Sequence, residues 1–477
     1  MAALIALWLT AAPGPGLEPD SMSYLGAAES LVRHGTLRVP WNHWAAPDST
    51  SPLSDFPPGF ALAIALPRAA GVTPIAAARW VMALSLGLAV AVLAALAVAT
   101  EGAAAATLAA GLVLATPAVV AVNTIVLSEP LFLAILALTL HQMVAAPERP
   151  WRYGALAGIA ALVRYAGVSL IAAAGLWAFT RPGDWRARAG RALRAGLPGV
   201  LLQAAWVART DLLGGDAPHT SFDFYGGLWG TIRRGLGTVS AWLVPTPAPG
   251  PVRSAVAAVL VAAIALVVWR AVRPPGRPPH PILGAIATIA ACYVAVLLYA
   301  REMVGEGIEF DDRILAPLFT LGAVAVAVSV VISWRGWGRI GRLSVAASVA
   351  GWLVLAVRVD AAAVRSLREG GYGYEGDDWQ RTDFAAWIRG ASGGRRYQLF
   401  TNDPAAAYFL SGRPSRLLPT TLDPDSVRAL ADTMRRRHGA LLGFESNFDP
   451  VAPPESLAAR LGLKRAIRFD YGAAWVP

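Results

Sequence analysis

The chain has 477 residues, 56% of them hydrophobic and 15% charged, with a mean hydropathy of +0.50, which places it among polytopic membrane proteins and excludes a string of soluble domains. Its net charge of +10 does not indicate a nucleic-acid partner, because the arginines cluster in short loops between apolar runs, the pattern that sets membrane topology. A single cysteine, Cys292, inside an apolar run excludes a disulfide framework and a cysteine metal site, and with one lysine, Lys464, there is no phosphate-cradling Gly-Lys-Ser/Thr loop for ATP-driven transport.

Residues Met1 to Ala12 are apolar but reach only about 18 Å as a helix, against the roughly 30 Å of a bilayer core. A short first span is expected, either a half-span or the end of one that starts upstream. Residues 13–73 form a polar loop running from Pro19-Asp20-Ser21-Met22-Ser23-Tyr24 to Asp55-Phe56-Pro57-Pro58-Gly59, with His34, Trp41, His43 and Trp44 between. Carboxylates and aromatics crowded beside a membrane mark a site.

Apolar runs of spanning length then begin near Pro74, Ala103, Thr124, Tyr153, Gly167, Ala195, Val252, Pro281, Ile314 and Leu343, which with the short first run predicts about eleven spans. One set of alternate loops holds Arg149/Arg152, Arg181 to Arg194, Arg270/Arg273/Arg277 and Arg335/Arg339/Arg342, whereas the other is acidic or mixed, with Glu302, Glu306, Glu309, Asp311 and Asp312 beside Arg301 and Arg313. The positive-inside rule makes the first set cytoplasmic, leaving the opening loop, Glu129, Arg164, the 214–250 loop and the C-terminal segment outside. This assignment requires a chain break between Arg164 and Gly167. The 214–250 stretch, with Phe222, Phe224, Tyr225, Trp229 and Trp242 among glycines, reads as an interfacial loop or helix.

From Asp360 the composition becomes that of a soluble domain. Strands are expected at 395–400, 441–444 and 464–469 and helices at 404–410, 425–437 and 455–461, an alternation that predicts a small α/β layer domain. The expected division is therefore a transmembrane domain over 1–359, containing the loop 13–73, and an extracytoplasmic α/β domain over 360–477.

Several pieces, taken together and in order, resemble the GT-C superfamily of polytopic glycosyltransferases, whose bacterial relatives include protein O-mannosyltransferases and lipid A aminoarabinose transferases. They are Pro19-Asp20-Ser21-Met22-Ser23-Tyr24-Leu25 with Ala28-Glu29-Ser30-Leu31, Phe56-Pro57-Pro58-Gly59-Phe60, Leu127-Ser128-Glu129-Pro130-Leu131-Phe132, Val163-Arg164-Tyr165-Ala166-Gly167, Asp312-Arg313-Ile314-Leu315-Ala316-Pro317-Leu318, Thr401-Asn402-Asp403-Pro404 and Gly412-Arg413-Pro414. Gly59 stands where a bulkier residue is common. The resemblance implies a GT-C-like α-helical membrane protein that moves a sugar from a polyprenyl-phosphate carrier to an acceptor at the outer leaflet of a bacterial inner membrane.

Such a transfer needs a base for the acceptor hydroxyl and positive charge for the departing phosphate. In the family, the acid of the first outer loop is implicated in catalysis. Here that is Asp20, as base or as a ligand to acceptor or metal; read from its neighbours alone, it equally suits the cap of a helix starting at Ser21. Asp55 is the second catalytic candidate. Tyr24, four residues after Asp20, shares its helix face and would orient the acid or anchor the loop. Glu129 suits a helix start or contact with acceptor, sugar or cation. Arg164 and Tyr165 lie at the break between two apolar runs, where a guanidinium would take a phosphate or pair with Glu129. Arg313 would take the carrier phosphate or pair with Asp311, Asp312 or Glu309. No histidine spacing resembles a metal set, so no cofactor is indicated; a divalent cation would use carboxylates such as Asp20 and Asp55. The expected partners are the lipid-linked sugar, the bilayer and an acceptor the sequence does not name. A secondary transporter and an inactive scaffold are the rival readings, although no pair of matched halves with interrupted helices supports the former.

Overall fold

The computed structural model describes residues 1–213, 224–246, 249–272, 280–305, 308–334, 336–391, 393–445, 451–463 and 465–476. Of the residues singled out above, Phe222, Arg273, Arg277, Glu306, Arg335 and Lys464 lie outside the described residues.

Helices dominate up to Gly370. Proline opens many of them, at Pro19, Pro74, Pro117, Pro150 and Pro281, where its missing N–H costs nothing. Five helices among the described residues are long and apolar enough to cross a membrane: Pro74–Glu101, Gly250–Val272, Pro281–Met303, Asp312–Trp334 and Arg339–Gly370. Ala103–Leu114 and Pro117–Thr124, bent by 57°, make a sixth if counted as one span. The remaining apolar runs form shorter helices such as Glu129–Ala145 and Pro150–Val163, so among the described residues length and composition support five or six crossings where about eleven spans were expected. The first helix, Ala2–Leu9, is short as expected and is tied to the helix Pro74–Glu101 by Arg79, which donates to the Leu7 carbonyl and the Thr10 hydroxyl, each at 3.2 Å.

The opening loop is largely ordered structure. It holds two helices, Pro19–His34 and Gly59–Ala69, and three short strands, β1 (Arg38–Val39), β2 (Trp41–His43) and β3 (Ser51–Pro52). Glu18 and Ser21 form a reciprocal capping box at the start of the Pro19–His34 helix, and Gly35 ends it in the left-handed conformation. Gly59 has a local reason: a Cβ there would lie 2.7 Å from the Leu162 carbonyl oxygen and from a Val163 methyl, so the loop helix seats against the end of Pro150–Val163 only without a side chain.

The helix Arg339–Gly370 continues past the compositional change at Asp360. Beyond it lie β4 (Gln398–Thr401), β5 (Ser415–Leu417), β6 (Gly439–Phe444), β7 (Arg465–Phe469) and β8 (Gly472–Val476), with helices Asp383–Arg389, Pro404–Ser411, Pro424–Arg437 and Pro454–Arg460 between them. The sheet order is β2-β5-β4-β6-β8-β7, so its first edge strand comes from the opening loop, parallel to β5 through Trp41 opposite Ser415. One apolar core accordingly mixes Leu17, Met22, Tyr24 and Phe60 with Phe384, Leu399, Ala405 and Leu442. Asn402, at the end of β4, is a bracket to β6, exchanging two 2.8 Å hydrogen bonds with the Phe444 backbone. Arg413 is exposed and donates to the Arg395 carbonyl at 2.7 Å.

Farther back, Phe224, just before the helix Leu228–Leu243, and Trp229, in its first turn, are exposed, as expected of an interfacial element, but Trp242 is stacked on Phe319 with centroids 4.6 Å apart.

Candidate active site

Three separated stretches are laced together just before Asp20. Gly16 N–H donates to the Thr124 carbonyl and Val126 N–H to the Gly16 carbonyl, while Leu17 exchanges backbone hydrogen bonds with Tyr372 and Tyr374. The lacing needs Gly373, at φ +60°, because a Cβ there would fall 1.9 Å from the Leu17 oxygen. The Ser21 hydroxyl then donates to the Val126 carbonyl at 2.8 Å. Asp20 is thus fixed in the first turn of its helix. The helix cap is Glu18 rather than Asp20, which leaves the Asp20 carboxylate to face the bundle.

It faces Arg313, one residue into the helix Asp312–Trp334, with Oδ2 2.5 Å from Nη2. The same guanidinium gives its Nε to Glu129 Oε1 and brings Nη1 within 3.7 Å of Glu18 Oε2. Glu129 opens the helix Glu129–Ala145, where the helix dipole favours a carboxylate, and is 1% exposed. Its Oε1 also takes Arg164 Nη1 at 2.5 Å. Arg164 is held in extended backbone between Pro150–Val163 and the 3-10 turn Tyr165–Gly167, the break that the loop-charge pattern requires. Three carboxylates and two guanidiniums therefore meet in one network at the ends of four helices.

Arg164 also donates to the Ser128 hydroxyl at 3.1 Å, and so does the Tyr24 hydroxyl at 3.2 Å. The expectation that Tyr24 orients Asp20 is thus replaced by a bond to Ser128, since the Tyr24 ring is buried against Phe56 and Phe60, 5.1 Å from each. Asp55 is exposed, beside the Ser54 hydroxyl. Tyr165 turns toward it, donating to the Ser54 carbonyl at 2.9 Å and accepting from the Trp206 indole at 3.3 Å. Asp312 is exposed at its helix start and is not among the ion-pair partners of Arg313; the partners expected for Arg313, Asp311, Asp312 and Glu309, are replaced by Asp20, Glu129 and Glu18. Among the described residues no three His, Cys, Asp or Glu side chains are grouped as a metal set.

Glu18, Ser128 and Tyr372 belong to the site but were not singled out from the sequence. Tyr372 donates to Glu18 Oε1 at 3.1 Å, and burial raises the Glu18 carboxyl above the ordinary range against the opposing pull of Arg313. The one sequence signal for Glu18 was its place before Pro19, an acceptor followed by proline at a helix start.

No family model matches the chain, and no curated protein does. Solved structures do. ArnT from Cupriavidus metallidurans bound to undecaprenyl phosphate is similar at a TM-score of 0.61 and 14% identity over 99% of this chain and 96% of that one. The archaeal oligosaccharyltransferase AglB from Archaeoglobus fulgidus, in complex with an inhibitory peptide and a dolichol-phosphate, gives 0.54 and 12% over 93% of this chain and 68% of that one. The arabinofuranosyltransferase AftD from Mycobacteria gives 0.54 and 17% over 98% of this chain and 37% of that one. These neighbours share the GT-C fold, and the first two hold undecaprenyl phosphate and a dolichol-phosphate respectively. The fold of this chain is the GT-C fold, a helical membrane domain joined to a small sheet.

Proposed function

We propose that the chain is an inverting membrane glycosyltransferase that takes a sugar from a polyprenyl-phosphate carrier at the outer leaflet of a bacterial inner membrane, with the network around Asp20 as its active site. The observation that carries this reading is the Asp20–Arg313–Glu129–Arg164 network on a GT-C fold. The site lies outside the cytosol on the strength of the arginine-rich loops at the opposite helix ends. The solved neighbours with undecaprenyl phosphate and dolichol-phosphate supply the donor class.

Chemically, an acceptor oxygen attacks the anomeric carbon from the face opposite the phosphate, the carbon–phosphate-oxygen bond breaks, and the hydroxyl proton passes to the Asp20 carboxylate. The leaving phosphate departs without a proton and is stabilised by guanidinium charge. With three carboxylates against two guanidiniums, the resting network carries no spare positive charge. Donor phosphate therefore competes with Asp20 for Arg313, and winning that competition releases Asp20 to accept a proton. Glu129 keeps both guanidiniums aimed while the exchange occurs.

The test is incubation of the purified protein with a labelled polyprenyl-phosphate sugar and candidate acceptors, in detergent and in sealed vesicles. Sugar transfer that depends on Asp20 supports the reading. Uptake confined to vesicles would make the chain a transporter, and neither outcome would make it a scaffold.

A further inference from the structure

Arg301 stands apart from this network. It lies in the last turn of the helix Pro281–Met303 and is 7% exposed. Its Nε donates to the fully buried Thr231 hydroxyl at 2.9 Å. Its Nη1 is buried with no hydrogen-bond partner among the described residues, and no carboxylate among them pairs with it, unlike Arg313 and Arg164. A buried guanidinium left in this way is costly.

The guanidinium is aimed at the start of the helix Leu228–Leu243. A Cβ built on Gly227 would lie 3.3 Å from Arg301 Nη2. Gly226 and Gly227 both have positive φ and place no side chain over the approach, and no side chain caps the helix. The first N–H groups of a 16-residue helix and its dipole thus converge with a buried cation on one spot. Tyr225, whose N–H donates to the Glu302 carbonyl at 3.0 Å, fixes the entering turn against the same helix end. The planar fork matches a tetrahedral oxyanion bidentately.

We infer that Arg301 and the N-terminus of Leu228–Leu243 form a second, phosphate-class anion site, taking a phosphoryl group borne by a lipid or free in solution. The site is distinct in its residues from the ion-paired network, where every guanidinium is already matched by a carboxylate. Thr231 acts as a positioning residue by holding Nε and so directing the remaining N–H groups.

The test uses the full chain in neutral phosphatidylcholine nanodiscs without acceptor, so its outcome is independent of turnover, and each variant is also measured on an Arg313→Gln background, so that phosphate bound at the proposed transfer site is told apart. Dissociation constants are measured for inorganic phosphate and for a polyprenyl phosphate with wild type, Arg301→Gln and Arg301→Lys. Loss of a charge-assisted pair predicts about tenfold or greater weakening in Arg301→Gln and a smaller weakening in Arg301→Lys, which keeps the charge but not the fork. Weakening for the polyprenyl phosphate alone assigns a lipid source, and weakening for both probes a free or shared phosphoryl group. Unchanged affinity for both probes in Arg301→Gln overturns the site. Should Arg301→Gln not fold by thermal melting, Arg301→Lys decides, and wild-type affinity for both probes in that variant overturns it equally.

Discussion

The guanidinium of Arg313 lies 2.5 Å from the carboxylate of Asp20, although 293 residues separate them in the chain. This ion pair joins the first helix of the opening loop to one of the most buried membrane helices, and it gives the first prediction. Asp20→Asn keeps the shape and removes the base. Transfer should fall about a hundredfold or more while the melting temperature stays near that of wild type. Wild-type turnover in that variant, measured with labelled donor, would remove Asp20 from the chemistry.

Glu129 carries a different burden. One carboxylate oxygen, Oε1, meets both Arg164 and Arg313, so Glu129→Gln leaves two guanidiniums without their shared counter-charge. Removing one partner of a buried ion pair costs about 3–5 kcal/mol. Thermal denaturation in detergent should show a large loss for Glu129→Gln and a smaller one for Arg164→Gln, which leaves Glu129 paired with Arg313. Equal and small losses would mean that the network is not held by Glu129.

A third expectation concerns acid. Arg68 grips Glu29 through Nε at 2.6 Å and Nη2 at 3.1 Å, joining the two helices of the opening loop. These bonds, with Arg33 adding to them, hold the Glu29 carboxyl below the usual carboxylate range. A depressed folded-state pKa contributes stability that is present above the unfolded value and is lost as the pH falls through the folded one. The loss therefore belongs below about pH 4.5, the ordinary glutamate range. Burial raises the Glu18 carboxyl, which has the opposite sign: its ionisation opposes folding and acid relieves it. Melting temperature against pH should show a shallower acid limb in Glu29→Gln than in wild type; an unchanged limb would discount the Arg68 contact.

Arg416 offers a structural test. It is fully buried, and its Nη1 and Nη2 donate to the carbonyls of His43, Trp44, Ala46 and Pro47 in the opening loop. Arg416→Met fills much of the volume but leaves those carbonyls unsatisfied, at about 1–3 kcal/mol for each one that water does not reach. Hydrogen exchange should rise in residues 41–47 and in β5, with the membrane helices unaffected. Protection unchanged across residues 41–47 would show that Arg416 does not hold the loop.

Much of this is legible in the amino-acid sequence alone. Apolar run lengths and the loop arginines pointed to a helical membrane protein, and the order of Pro19-Asp20, Ser128-Glu129, Arg164 and Asp312-Arg313 pointed to the GT-C fold. The break at Arg164 was legible because a charge interrupts two apolar runs. The C-terminal helices came within a residue or so, since their proline and aspartate caps are local signals. The edge strand Trp41-Asn42-His43 was not legible, because three residues carry no measurable period and its partner β5 lies far along the chain. Ser415-Arg416-Leu417 was missed for a related reason: an arginine in a buried strand contradicts pattern rules until its carbonyl partners are known. The pairing of Arg164 with Glu129 was one of the two readings its sequence position allowed, whereas the pairing of Arg313 with Asp20 and the same Glu129 was invisible, because it depends on which helix ends meet in space.

The borrowed edge strand has a consequence for how the protein is assembled. Because β2 is emitted early and the other strands of its sheet all lie from Gln398 onward, β2 waits without its sheet partner through most of synthesis, and the sheet can form only once those late strands have been made. The two ends are therefore not interchangeable modules. A C-terminal fragment produced by itself would present β5 as a bare, pairing-competent border, prone to self-association, and supplying the residue 13–73 segment in trans should quench that association.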